Sequence, residues 1–123
     1  MVLSVDRPSQ RTALVTLTES SSRDTFSSGT IEHLIDTIDG LIQDQNTDAV
    51  ILTGTGRFFC AGGPVDKFDN AIDDGSIRDV VETMTGHLHP LLLRIRRSST
   101  VFVGAINGAA AGGGLGLALS MDY

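Results

Sequence analysis

Two short runs with almost no side-chain bulk, Ala61-Gly62-Gly63 and Ala111-Gly112-Gly113-Gly114, hold the chemistry that this sequence offers. A backbone N–H can stabilise a developing negative oxygen only where nothing covers it, and Gly and Ala beside a strand end leave it bare. If the two loops converge, one carbonyl oxygen accepts an N–H from each. The second donor, opening a helix, adds the positive end of the helix dipole. An enolate would be stabilised at such a place. Losing one donor of this kind typically costs about 10²- to 10³-fold in rate, and proton transfer still needs a separate acid or base. A glycine cluster taken alone more often serves a tight turn or close packing of helix on strand, so the flanking residues have to carry the argument.

Other glycine-loop chemistries fail on spacing. Neither Gly112-x-Gly114 nor Gly114-x-Gly116 is followed by glycine three residues later, where Leu117 and Leu119 stand, so the dinucleotide fingerprint is missing. No glycine-lysine-serine or glycine-lysine-threonine run marks a phosphate loop, and no Gly-x-Ser-x-Gly elbow supplies a nucleophile. The net charge of -6 argues against a nucleic-acid surface. The one basic run, Arg94 to Arg97, reads as a solvated helix end with cations at the negative dipole terminus.

The elements that must position the two loops follow from hydrophobic patterning. Val2–Val5 and Ala13–Thr18 read as a hairpin joined by a turn over Arg7-Pro8-Ser9-Gln10. The serine-rich stretch from Glu19 to Ser28 reads as a loop whose last serines cap a helix beginning near Gly29 or Thr30. Ile31, Leu34, Ile35, Ile38, Leu41 and Ile42 share one face of that helix. Ala49–Thr53 reads as a strand buried on both faces, ended by Gly54 and Gly56, with Phe58-Phe59-Cys60 leading into a loop. Ile77 through Ile95 repeat at helical spacing, and Pro90 is expected to kink or divide this second helix. Val101–Ile106 is a second buried strand, followed by the small-residue loop at Asn107-Gly108 and an apolar helix opened by Gly112-Gly113-Gly114. The order strand, glycine loop, helix thus occurs twice, which implies an α/β fold. A chain of 123 residues with 41% hydrophobic content is enough for one core, hence one domain.

The single cysteine, Cys60, excludes an internal disulfide, and MVLSVDRPSQ lacks the cationic start and apolar core of a signal peptide. A cytoplasmic location is expected. Gly104, Asn107 and Gly108 interrupt the longest apolar stretch, so no membrane span of about 20 residues is available.

Val50-Ile51-Leu52-Thr53-Gly54-Thr55-Gly56-Arg57-Phe58-Phe59-Cys60-Ala61-Gly62-Gly63 resembles the first signature of the enoyl-CoA hydratase/isomerase (crotonase) family. Gly104-Ala105-Ile106-Asn107-Gly108 through Gly112-Gly113-Gly114 to Leu119, followed by Met121-Asp122, resembles the second. The resemblance covers nearly the whole chain and implies a ClpP/crotonase spiral of repeated strand-helix units. Residues 1–123 would form its amino-terminal part, with the chain apparently truncated. It implies an acyl-CoA thioester as ligand, CoA being part of the substrate, with no metal or organic cofactor. A homo-oligomer, a trimer or dimer of trimers, is implied at full length.

Carried over residue by residue, the resemblance makes the oxyanion donors the N–H groups of Gly63, where alanine is more usual, and Gly113. Ala61, Gly63, Pro64, Val65, Ser22 and Arg23 would contact CoA, although Ser22-Arg23-Asp24-Thr25-Phe26 departs from the usual motif. Asp66 could position substrate or cap the next turn. The glutamate that family hydratases use just after the glycine run is replaced by Gly116, and the family's other acid falls beyond Tyr123. Isomerisation is therefore preferred to hydration. The alternative is a non-catalytic acyl-CoA-binding or assembly fragment without a catalytic acid. His87 and His89 read as surface or structural residues, Cys60 as a buried packing residue and Asp122 as structural.

Overall fold

The computed structural model of the chain describes residues 1–27, 29–63 and 65–123, with the side chains of 65–67 outside the description. The alternation Ala13, Val15, Leu17 puts three apolar side chains on one face of a strand, and all three are fully buried. This strand, β2 (Thr12–Leu17), pairs antiparallel with β1 (Leu3–Ser9), as the hairpin reading predicts. The turn is tighter than predicted: β1 continues through Arg7, Pro8 and Ser9, and the reversal is confined to Gln10 and Arg11. Pro8 is tolerated because β1 is the outermost strand and its register shifts between Asp6 and Ser9, so no ladder acceptor is left waiting for its missing N–H.

Two parallel strands extend the sheet: β3 (Ala49–Thr53) beside β2, and β5 (Val101–Ala105) beside β3. The register aligns Ala13, Val50 and Phe102 in one row and Leu14, Ile51 and Val103 in the next. The first row is fully buried, whereas the second is only half-buried. The expectation that β3 and β5 are buried on both faces is therefore corrected to one face. Val50, Leu52 and Phe102 share a core with two helices, and the opposite face alternates outward with the strand period.

Those helices are α2 (Thr30–Gln43) and α4 (Ile77–Arg97). In α2 the predicted stripe faces inward, with Ile31, Leu34, Ile38 and Leu41 buried and Ile35 and Ile42 packed at its margin. Gly29 rather than a serine opens it, at φ 87°, and the Glu32 carboxylate accepts the Gly29 N–H at 2.9 Å. The Ser27 hydroxyl donates instead to the Asp24 carbonyl, and Ser28 lies outside the described residues. Of the kink or division expected at Pro90, division does not occur: α4 runs unbroken through it. Pro90 and the Gly86 carbonyl it leaves without a helical donor are both exposed, so water can serve that group while Leu88, Leu91 and Ile95 stay buried.

Four elements, two helices and two strands, were not legible as such. The serine-rich stretch contains α1 (Glu19–Arg23), capped by Thr18, whose hydroxyl accepts the Ser21 N–H at 3.3 Å. Helix α3 (Val65–Asp74) precedes α4. Phe58-Phe59-Cys60, which leads into the first glycine loop as expected, is itself a strand, β4 (Phe58–Cys60), paired in parallel with β6 (Ala109–Ala110), after which α5 (Gly113–Leu119) begins. Among the described residues no helix is long and apolar enough to cross a membrane.

The contact between α5 and β4 leaves no room for a side chain. A Cβ at Gly114 would stand 1.9 Å from the Cys60 carbonyl oxygen, whereas one at Gly40, exposed within α2, would meet nothing within 4 Å. Gly114→Ala should cost about 3 kcal/mol or more, or abolish folding. Gly40→Ala should add about 0.5–1 kcal/mol through helix propensity. Urea unfolding of the two variants beside the parent chain measures both, and equal stability of all three would contradict this packing.

Candidate functional site

The β4–β6 pair brings the two glycine loops together. Each loop leaves its strand on the same side, because parallel strands present their carboxyl ends together. The Ala111 N–H donates to the Cys60 carbonyl at 3.1 Å, which ties the start of the second loop to the end of β4. A Cβ at Gly62 would come within 3.0 Å of the Ala111 carbonyl oxygen and 3.8 Å of the Gly113 nitrogen. With φ 95° at Gly62 and 54° at Gly112, both loops also need backbone shapes that L side chains resist.

Gly63 and Gly113 line one cavity of about 240 Å³, together with Ala61, Gly62 and Gly112. The rest of its wall is apolar except for one hydroxyl: Phe26 from the loop before α2, Phe68 from α3, and Val81, Met84, Thr85 and Leu88 from one face of α4. None of these lining residues is titratable. Among the described residues, neither the Gly63 nor the Gly113 N–H has a backbone acceptor, and Gly113 is the first residue of α5, where helical geometry supplies none. Two unengaged donors at an apolar wall can hold an oxyanion, and among the described residues of that wall no side chain can move a proton.

The other predicted ligand contacts are placed differently. Ser22 is fully buried beneath the first loop: its hydroxyl accepts the Thr55 N–H at 3.1 Å and its carbonyl accepts the Ala61 N–H at 2.8 Å. The Ser22 side chain thus supports the loop that carries Ala61 and Gly63 and does not line the cavity. Arg23 is exposed, 4.0 Å from the Asp24 carboxylate, and does not line the cavity. Pro64 lies outside the described residues, and Val65 and Asp66 open α3 with their side chains outside the description.

Gly116 lies on α5 outside the cavity wall, and a Cβ there would make only ordinary contact with Leu92, at 3.7 Å. Cys60 is buried and its thiol donates to Thr25 Oγ1 at 3.1 Å. Burial raises its pKa above the usual thiol value against the weaker opposing pull of that hydroxyl. His89 is exposed, and His87 sits 3.9 Å from Glu32 on the side of α4 facing α2. Asp122 accepts from Arg96 at 3.0 Å and from the Phe102 N–H at 2.8 Å, a structural tie.

One residue of the site framework was missed. Asn107, read only as part of a small-residue loop, accepts the Gly54 N–H at 2.9 Å and donates to the carbonyls of Gly56, at 3.2 Å, and Phe58, at 3.1 Å. Its amide therefore holds the loop after β3 against the loop after β5. A signal was present, since asparagine followed by glycine at a strand end is the residue type that satisfies loop backbone groups. Gly108 completes the fit, as a Cβ there would lie 2.3 Å from the Arg57 carbonyl oxygen.

Comparison with known proteins gives a consistent result. The family model described as enoyl-CoA hydratase/isomerase matches residues 7–123. The 2,3-dehydroadipyl-CoA hydratase of Escherichia coli is 26% identical over 92% of this chain and 42% of its own length. The crystal structure of an enoyl-CoA hydratase from Bacillus anthracis superposes with a TM-score of 0.85 at 26% identity, covering 100% of this chain and 46% of that one. A monofunctional enoyl-CoA isomerase from M. smegmatis superposes with a TM-score of 0.74 at 29% identity, over 99% of this chain and 48% of that one. The chain belongs to the enoyl-CoA hydratase/isomerase family and has the α/β crotonase fold. It spans less than half the length of these relatives.

Two measurements test the framework. Asn107→Ala orphans one N–H and two carbonyls at a partly wet site and should cost about 1–3 kcal/mol in thermal or urea unfolding; an unchanged midpoint would show that the amide holds nothing. The raised thiol pKa of buried Cys60 makes thiolate scarce at neutral pH, so iodoacetamide should label Cys60 only after unfolding, as read by intact mass.

Proposed function

We propose that this member of the enoyl-CoA hydratase/isomerase family binds the thioester carbonyl of an acyl-CoA between the N–H groups of Gly63 and Gly113 and stabilises the enolate formed there. The observation that carries this reading is the meeting of two glycine loops at one apolar cavity, with both N–H groups lacking a backbone acceptor among the described residues. In an apolar surround such donors act at low effective dielectric, and being fixed in the backbone they need no reorganisation as charge develops. Gly113 adds the positive end of the α5 dipole. The CoA moiety would run outside the cavity along residues 61–66, past the exposed Arg23. No metal or organic cofactor is required.

Enolate chemistry also needs a proton carrier, and the described cavity wall has none. Gly116 replaces the acid expected for two-glutamate hydration, which favours one-acid isomerisation of an enoyl-CoA, with the acid supplied from outside this wall. The absence of a titratable side chain among the described residues of the wall equally supports the second reading, a chain that binds acyl-CoA without turning it over. In the whole protein, the first reading places the enzyme in fatty acid metabolism in the cytoplasm as a homotrimer or dimer of trimers.

Calorimetric titration with butyryl-CoA and with its S-butyl thioether separates carbonyl recognition from burial of the alkyl chain. The thioester should bind about tenfold more tightly, the worth of roughly one net hydrogen bond, and Gly113→Pro, which removes the N–H, should erase that difference. Equal affinity of the two ligands for the parent chain would sink the oxyanion assignment. Turnover of 3-enoyl-CoA to 2-enoyl-CoA without hydration of crotonyl-CoA would separate the isomerase from the non-catalytic reading.

A further inference from the structure

The wall beside Gly63 is built from two side chains on different helices. A Cβ at Gly63 would stand 2.3 Å from Met84 Cε, 2.9 Å from Phe68 Cζ and 3.3 Å from Met84 Sδ. The thioether and the phenyl edge therefore fill the volume that any side chain at position 63 would take. Val81, Met84, Thr85 and Leu88 recur at the three- and four-residue spacing of one helix face, so the position of Met84 at the cavity is fixed by α4. Its rotamer is not fixed in the same way, since an unbranched thioether has three rotatable bonds and adapts to its neighbours.

The cavity also has a size. An apolar cavity of about 150 Å³ accepts benzene, so one of about 240 Å³ has space for roughly ten non-hydrogen atoms by the same scaling. A thioester group and a short alkyl chain fill that.

We infer that Met84 is the specificity-determining residue of this site: seated over Gly63, it limits the acyl group to short chains, and the missing side chain at 63 and the thioether at 84 form one exchangeable packing unit. This rests on the reading that an acyl-CoA carbonyl is held by Gly63 and Gly113. A carbonyl oxygen on the Gly63 N–H starts the acyl chain beside Met84, so each further methylene must pass that side chain or displace it.

The test titrates the parent chain, Met84→Ala and Met84→Phe with free CoA and with butyryl-, hexanoyl-, octanoyl- and decanoyl-CoA. Thermal unfolding of Gly63→Ala and of Gly63→Ala/Met84→Ala is recorded in parallel. Each methylene that finds apolar space should tighten binding about fourfold, and that gain should stop within the series for the parent chain. It should continue about two methylenes further in Met84→Ala and stop earlier in Met84→Phe. Gly63→Ala should lower the unfolding temperature, and adding Met84→Ala should restore most of the loss. An identical chain-length profile in all three proteins, with acyl-CoA still bound more tightly than CoA, would overturn the inference and leave the site reading standing. No preference of the parent chain for any acyl-CoA over CoA would instead remove the site reading and the inference with it. Failure of Met84→Ala to recover Gly63→Ala would refute the packing exchange whatever the ligands do.

Discussion

The parallel pairing of β4 with β6 is the constraint on which the site depends. Each strand is too short to be stable alone, and together they bring the ends of two distant strand-and-loop units within one hydrogen bond of each other. That closeness dictates residue type. Gly62 must admit the Ala111 carbonyl, Gly114 the Cys60 carbonyl and Gly108 the Arg57 carbonyl, so three backbones touch where three side chains would otherwise stand. Asn107 then satisfies the polar groups that such close contact leaves in the loop after β3 and at the start of β4. The bare N–H groups of Gly63 and Gly113 are a consequence of this packing as much as of their own lack of a side chain.

The rest of the fold fixes where that junction sits. The sheet β1-β2-β3-β5 delivers β3 and β5 side by side and parallel, so the two loops that follow them start from adjacent positions. Helices α2 and α4 share the core with the row of Val50, Leu52 and Phe102, and this anchors α4 along its length. The same face of α4, in the amino-terminal part of the helix, supplies Val81, Met84, Thr85 and Leu88 to the cavity. One helix therefore both closes the core and shapes the site. Ser22 ties α1 to the same junction from below, through the Thr55 and Ala61 N–H groups.

Legibility in the sequence followed the periodicity of each element. The stripe of α2 is strong because six apolar residues repeat at the helical period and a polar face opposes them. β2, β3 and β5 were legible from β-branched runs, although their burial on one face only was not, because a short apolar run looks the same in a half-covered and a fully covered strand. α1 was hidden, since serine has weak helix propensity and only burial of Ser21 and Ser22 and a threonine cap stabilise it. β4 and β6 were hidden for a different reason: three and two residues carry no period, and their pairing is entirely non-local. Pro90 does not divide α4, because its penalty depends on whether the deprived carbonyl can reach water, and Gly86 is exposed.

The sequence by itself determined the family, the α/β class and the two loops that matter, because glycine at Gly63, Gly112, Gly113 and Gly114 and the strands before them are local, typed features that spacing preserves. Tertiary structure alone decided that the loops meet, that the Ser22 hydroxyl is buried in support of the first, that Asn107 ties the loop after β3 to the loop after β5, and that Met84 and Phe68 occupy the space beside Gly63. These are distances between residues far apart in the chain. No pattern of residue types encodes a distance until the core formed by the sheet, α2 and α4 has set where each loop ends.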